Sequence, residues 1–379
     1  MSALTNRNNL PSFSQAQVSV FRLRRHHLDR RSPLKSLAAV VGDICGIQAQ
    51  VMSAAQLALW ARVKNLTLED VERALWQDHT LVKTWCMRGT VHLLPAAELP
   101  VYTGAYRLRG TRSVERWLTE SGIKPVEIKA MTETIVEALA SGPLTRRELT
   151  EKVVSILGPR TKRWVGHSWG GVVKQPCYQG RVCFGPNQGQ EISFVRTDQW
   201  LPEPSVLPVK EAETALFRRY LKSYGPVTLG DFNYWAGIRA KEAGVILKRM
   251  GAEVKEVNVE GRPALILRQD LVTLRKPEPA DSVRLLPSFD SYLLGHRNKD
   301  HLVDAAHYKL VFRKAGWLSP VVLVNGKVTG VWNYKRNGKR LSVTIHPFSR
   351  LSRRIRDRIE DEAIDLGRFW SVRCEISFK

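Results

Sequence analysis

Two glutamines flanking one small residue, Gln48-Ala49-Gln50, are the side chains of this 379-residue chain whose type and spacing speak most directly to chemistry. Residues 34–45 read as a helix with Gly46 as its stop, and Ser53 with Gln56 three positions on reads as the capping box of the next helix. Residues 47–52 are then a short extended connector. In extended backbone, positions i and i+2 project to one side, so Gln48 and Gln50 are expected to point together while the small Ala49 faces away. Side by side, their neutral amides offer carbonyl acceptors and N–H donors. Glutamine takes up no proton at neutral pH, so such a pair acts by orientation. Taken alone, the same residues also fit a polar loop whose amides merely satisfy backbone groups.

Other chemistries are poorly supported. The cysteines (Cys45, Cys86, Cys177, Cys183, Cys374) are scattered, odd in number and without a CxxC pair, which signals no disulfide framework, zinc cage or iron–sulfur cluster. The histidines include the His26-His27 pair but no HxH or HExxH spacing, so no metal and no cofactor are expected. A lyase would need an activated amine. The lysines nearest the glutamines, Lys35 and Lys64, carry no mark of one. Trp60, Trp85 and Trp332 follow apolar periodicities and are expected in the core.

The elements that must position the glutamines form an internal repeat. Thr67, Thr145 and Thr228 are each followed three residues later by an acid (Asp70, Glu148, Asp231) and then by an apolar residue, the pattern of a capped helix start. Segments 54–63, 126–139 and 211–224, which precede these caps, read as amphipathic helices. In the second and third units a Gly-Pro turn joins the two helices. A further helix is expected over 164–178 and over 239–250, each followed by a hairpin, 181–196 and 254–267. Three helices and a two-stranded wing make a winged helix. The first unit passes straight to strands at 81–86 and 90–94 and is read as winged-helix-like by analogy.

Proline-rich breaks at 201–208 and 276–279 separate the units. Beyond them, Asn325-Gly326 and Asn337-Gly338 mark the turns of a meander that suits a small sheet or barrel, covered by a helix over 349–366 and a last strand over 371–378. The expected fold is α+β, with tandem winged-helix modules and a small C-terminal β-barrel or sheet. Its domains are 1–120 with the glutamine pair, 121–205, 206–280 and 281–379.

Charge points to the partner. There are 59 Lys+Arg against 36 Asp+Glu, a net +23, spread along the chain rather than held in one tail. A field of that sign draws polyanions, and double-stranded DNA is the expected one. No apolar run is long enough for a membrane span and the N-terminus lacks a signal-peptide core, so a cytoplasmic, nucleoid-associated protein is expected. Repeated helix-turn-helix units on a basic chain fit a transcription regulator or a DNA-processing enzyme. Composition and pattern leave both open.

The stretch Gly46-Ile47-Gln48-Ala49-Gln50 resembles the Gln-x-Gln motif of the winged-helix DNA glycosylases, the AlkZ/YcaQ-like family. Three further segments fit the same family: Thr84-Trp-Cys-Met-Arg88-Gly-Thr90-Val-His92, Leu286-Pro-Ser-Phe-Asp290-Ser-Tyr292-Leu-Leu-Gly295-His-Arg297, and Val324-Asn-Gly326-Lys-Val-Thr-Gly330-Val-Trp332. They extend from near the N-terminus to the C-terminal sheet. The resemblance implies tandem winged helices in a C shape with a β-barrel, and removal of bulky or crosslinking alkyl adducts. Some relatives carry Asp at the second motif position; Gln50 places this chain on the azinomycin-resistance side.

Under that resemblance the chemistry is self-consistent. An N7-alkylguanine or N3-alkyladenine is already cationic and leaves readily, so no strong general acid is required. Gln48 and Gln50 are expected to align the water and face the oxocarbenium-like sugar, as preorganised amide dipoles can. A monofunctional enzyme acting as a monomer is expected. Lys335, Arg336, Lys339 and Arg340 crowd a hairpin tip suited to a groove or to phosphates, and Arg88, Arg297 and Lys299 belong to the family-like segments and are expected to line the lesion side. His92 and His296 are weaker candidates for the same side, since a single histidine is more often structural.

Overall fold

Each threonine of the repeat caps a helix. Thr145 Oγ1 accepts the Glu148 amide at 3.2 Å while Glu148 accepts the Thr145 amide at 2.8 Å, and Thr228 with Asp231 does the same at 3.1 and 2.8 Å. Thr67 and Asp70 exchange equivalent bonds of 3.2 and 3.0 Å. The helices that follow are Leu68–Trp76, Arg146–Leu157 and Leu229–Ala236. The structure, a computed structural model, describes residues 10–201, 206–276 and 280–379, so the proline-rich breaks at 201–208 and 276–279 lie mostly outside the described residues. The chain divides into two compact units, Glu72–Leu216 and the combination of Met1–Val71 with Phe217–Lys379. This partition is coarser than the four expected domains.

In the Glu72–Leu216 unit, strands Leu81–Trp85 and Val91–Pro95 pair antiparallel, with Trp85 opposite Val91. A long helix, Leu99–Glu120, leads to Pro125–Ala138 and then to the capped Arg146–Leu157. The hairpin Val182–Gln188 with Glu191–Arg196 gains Leu144–Thr145 as a third strand. The Trp85 ring packs against Phe184 and Phe194 of that hairpin, with centroids 4.6 and 5.9 Å away. The single helix expected over 164–178 does not form. It is cut into Lys162–Val165, a one-turn Gly171–Val173 and Lys174–Tyr178. Gly170 at φ +101° and Gly171 at φ +47° hold left-handed backbone that a continuous helix has no place for.

In the other unit, Ser12–Phe13 runs parallel to Val254–Val259, which pairs antiparallel with Arg262–Leu267. Glu260 and Gly261, both at positive φ, make the two-residue turn. Phe13, Val18 and Phe21 bury themselves against Val257, Ile266 and Leu274 of this region. Of the barrel or sheet expected at the C-terminus, the strands form an open five-stranded sheet. Its edges are Val283–Leu286 and Arg373–Phe378, the latter parallel to Arg340–Pro347. The Arg353–Phe369 helix packs against both edge strands, leaving them unjoined.

Candidate functional site

The Leu37–Asp43 helix ends two residues before the expected position. Cys45 and Gly46 take positive φ, and the Gly46 amide donates to the Val41 carbonyl at 2.8 Å, a Schellman-type stop that turns the chain into Ile47–Gln48. The next helix is Met52–Trp60. Its N-cap is Val51, whose carbonyl accepts the Ala54 and Ala55 amides, so Ser53 lies already inside the first turn and the expected Ser53–Gln56 box is not its start. Nor is the helix amphipathic: Ala54, Ala55, Leu57, Ala58, Leu59 and Trp60 are all buried. A helix apolar nearly all round belongs in the core.

Between these helices the side chains alternate as an extended connector requires. Ile47 and Ala49 are buried, Gln48 is half-buried and Gln50 is exposed. Two groups pin the turn that leads into the connector. Ser291 Oγ donates to the Gly46 carbonyl at 3.0 Å, and Tyr224 Oη donates to the Ile44 carbonyl at 3.3 Å. Tyr224 is itself held, donating also to the Ser291 carbonyl at 3.2 Å. Gly295 lies so close beneath its ring that a Cβ there would meet Cδ1 at 2.1 Å. Asp43 accepts from Lys222 Nζ at 2.8 Å and lies 3.1 Å from His27 Nε2. Burial alone would raise the Asp43 carboxyl, but those hydrogen bonds outweigh it and hold the group below its ordinary value.

A buried ion pair fixes the same scaffold. Arg62 donates to both Asp290 oxygens at 2.7 Å and to the Ala58 carbonyl at 2.9 Å, and the pair is fully buried. Asp290 also caps the Ser291–Leu294 turn through the Tyr292 amide at 2.9 Å. Sequence reasoning missed Arg62, Tyr224 and Ser291. Only Asp290 and Ser291 carried a signal, their place in the family-like 286–297 segment.

The expected cations divide. Lys335, Arg336, Lys339 and Arg340 are all exposed on the hairpin of Lys327–Asn337 and Arg340–Pro347, which turns at Gly338-Lys339. Arg297 is exposed, and its amide donates to Asp231 at 2.8 Å. In the other unit, Arg88 is exposed at φ +55°. Lys299 corrects the expectation: it is buried, its ammonium donating to the Leu293 carbonyl at 2.7 Å and to the His296 carbonyl, near the rings of Tyr234 and Phe312. Its charge is taken up by backbone carbonyls.

His92 and His296 are buried, as are Trp60, Trp85 and Trp332. Burial pushes His92 down to about 3, with Arg88 adding to the effect, and drives His296 well below its ordinary value. Lys35 and Lys64 are exposed. Among the described residues no cluster of His, Cys, Asp and Glu could hold a metal, and no helix is long and apolar enough to cross a membrane.

Over residues 41–369 the chain matches the family described as DNA glycosylase AlkZ-like. It is 36% identical over 372 residues to the interstrand DNA cross-link repair glycosylase of Streptomyces sahachiroi, spanning 94% of this chain and 96% of that protein. Among solved structures it is similar to the DNA glycosylase AlkZ of Streptomyces sahachiroi, with a TM-score of 0.84 and 33% identity over 97% of this chain and 100% of that one.

Proposed function

The chain belongs to the AlkZ-like DNA glycosylases, and from that premise we propose that it hydrolyses the N-glycosidic bond of cationic alkylated purines and unhooks interstrand crosslinks built on them. The observation that carries the reading is the connector's alternation. Ala49 is buried while Gln48 is half-buried and Gln50 exposed, just after a turn tied down by Ser291 and Tyr224. Amides displayed from a fixed backbone can serve as preorganised dipoles, and preorganisation is what electrostatic catalysis requires.

In the proposed mechanism the lesion supplies the leaving-group activation. An N7-alkylguanine or N3-alkyladenine carries a positive charge, so the bond to C1′ breaks without prior protonation and the base leaves with the bonding pair. Carbonyl oxygens of Gln48 and Gln50 face the oxocarbenium-like sugar and orient the attacking water, whose proton passes to solvent as the new C1′–O bond forms. The product is an abasic site with its strand intact. Excision of an unmodified base, which must be protonated to leave, is correspondingly very slow.

We read the capped helices with their hairpins, 125–196 and 209–267, as winged-helix modules that bind the duplex. Lys335, Arg336, Lys339 and Arg340 contact phosphates or a groove from the hairpin tip, and Arg88 and Arg297 face DNA. The protein acts as a monomer in the nucleoid. A noncatalytic regulator, the competing reading, has no support from the relatives, which are glycosylases by name. The test is direct. A duplex containing 7-methylguanine is incubated with the protein and heated in alkali. Strand cleavage at the lesion supports the reading, and tight binding to undamaged DNA without cleavage contradicts it.

A further inference from the structure

Within the Glu72–Leu216 unit lies a cleft of about 500 Å³ whose walls combine two kinds of group. Arg88 and Lys174 bring cations, and Trp117, Trp169, His167 and Tyr178 bring rings. Trp169 is 67% exposed, whereas the nearby Trp85 and Trp164 are 4% and 7% exposed. Leaving an indole in water forfeits a large apolar burial, so its display needs an account other than packing.

The loop that carries Trp169 is built rather than slack. The Trp169 amide donates to His167 Nδ1 at 3.2 Å, Arg146 donates to the His167 carbonyl, and the Val173 amide donates to the Gly170 carbonyl at 3.0 Å. Gly171 passes so close to the preceding turn that a Cβ would sit 2.0 Å from the Trp164 carbonyl oxygen. Trp117, also exposed, stands edge-on to His167 at 5.3 Å and to Trp164 at 5.8 Å, which fixes its ring. Arg88 is thrown outward by left-handed backbone at φ +55°.

We propose that this cleft binds one unstacked DNA nucleotide, its base against Trp169 and Trp117 and its phosphate on Arg88 and Lys174. Rings that present a face, with cations beside them, are how proteins hold single-stranded nucleic acid without reading its sequence. A volume of about 500 Å³ suits one small ligand and not a helix. The net +23 of the chain favours an anion, and the flat indoles select an aromatic one over an acidic side chain. The inference rests on the reading of the protein as a DNA glycosylase only for the identity of the polymer, and it assigns to the cleft a nucleotide displaced from the stack.

The experiment compares binding of two undamaged DNAs, a fully paired duplex and the same duplex with a run of unpaired thymidines. The unaltered protein, Trp169→Ala and Trp169→Phe are measured, with circular dichroism confirming that each is folded. Trp169→Ala is expected to weaken binding of the bulged duplex by about tenfold or more while leaving the paired duplex nearly unchanged, and Trp169→Phe to retain most of the preference. Arg88→Gln weakens both and lowers the salt dependence. If Trp169→Ala discriminates between the two DNAs as the unaltered protein does, the proposal fails. Release of 7-methylguanine by the unaltered protein is scored separately, so a missing glycosylase activity is not confused with an empty cleft.

Discussion

Arg62 and Asp290 meet through two N–H···O bonds of 2.7 Å each, fully buried and separated by 228 positions in sequence. Arg62 lies just beyond the Met52–Trp60 helix, and Asp290 begins the segment whose Ser291 holds Gly46. The pair therefore locks the helix after the glutamines to the group that fixes the residue before them.

Removing one partner leaves a charge buried without compensation. Asp290→Ala is expected to destabilise the fold by about 3–5 kcal/mol, read as a lower urea midpoint. The double replacement Arg62→Met with Asp290→Leu should recover most of that loss, since neither member of the pair is then left buried without its partner. Equal destabilisation by single and double variants contradicts this account.

Ser291→Ala isolates the positioning effect. The Gly46 carbonyl loses its 3.0 Å donor, at a cost of about 1–3 kcal/mol for a buried acceptor. Single-turnover excision is expected to slow while DNA affinity holds, because the connector is displaced and the binding surface is not. A pure affinity loss would argue against a role for Ser291 in holding the glutamines.

Much of this scaffold is legible in the sequence where the chemistry is local. The threonine caps, the 254–267 hairpin and the Asn325-Gly326 turn depend on neighbouring residues, and they form where expected. Ser53 misleads because Val51 begins the helix earlier, and the 164–178 helix fails at glycines whose left-handed backbone matters only once Trp164 and Trp85 crowd them. Whether a sheet closes is decided by partners far apart in sequence, and here the Arg353–Phe369 helix meets both edges. Lys299 looks like any surface lysine until its ammonium is seen on two carbonyls. The glutamine pair is visible because alternation in an extended connector is a local property. Its anchors are long-range and are not.

Stability should depend on pH with a definite sign. Burial drives His26 and His296 well below their ordinary value and lowers His92 to about 3 and His301 to about 2. The unfolded chain takes up protons near pH 6.5 and the folded one does not, so stability is complete above that pH and falls as the medium is acidified through it. Each such histidine contributes a loss of about 1.4 kcal/mol per pH unit below about 6.5, until its folded-state value is reached. Urea midpoints between about pH 7.5 and about pH 5.5 measure the slope, and His92→Asn should flatten it. A midpoint that does not move with pH contradicts the buried neutral state.

Electrostatic binding by the hairpin tip has its own signature. Replacing Lys335, Arg336, Lys339 and Arg340 together by Gln should lower the slope of log Kd against log salt by about 0.9 for each phosphate that the tip no longer neutralises. Lys299→Gln serves as the contrast. It disturbs the fold around Leu293 and His296 but leaves the salt slope alone. A slope unchanged in the hairpin variant removes the tip from the DNA interface.

The central claim is that uncharged amides suffice because the base departs already charged. Single-turnover release of 7-methylguanine by Gln48→Ala and Gln50→Ala, each shown to bind the duplex, tests it most directly. A loss of about a hundredfold or more in the rate for each variant, with DNA affinity retained, is the predicted result. Undiminished release by either variant contradicts its assignment, and undiminished release by both contradicts the mechanism.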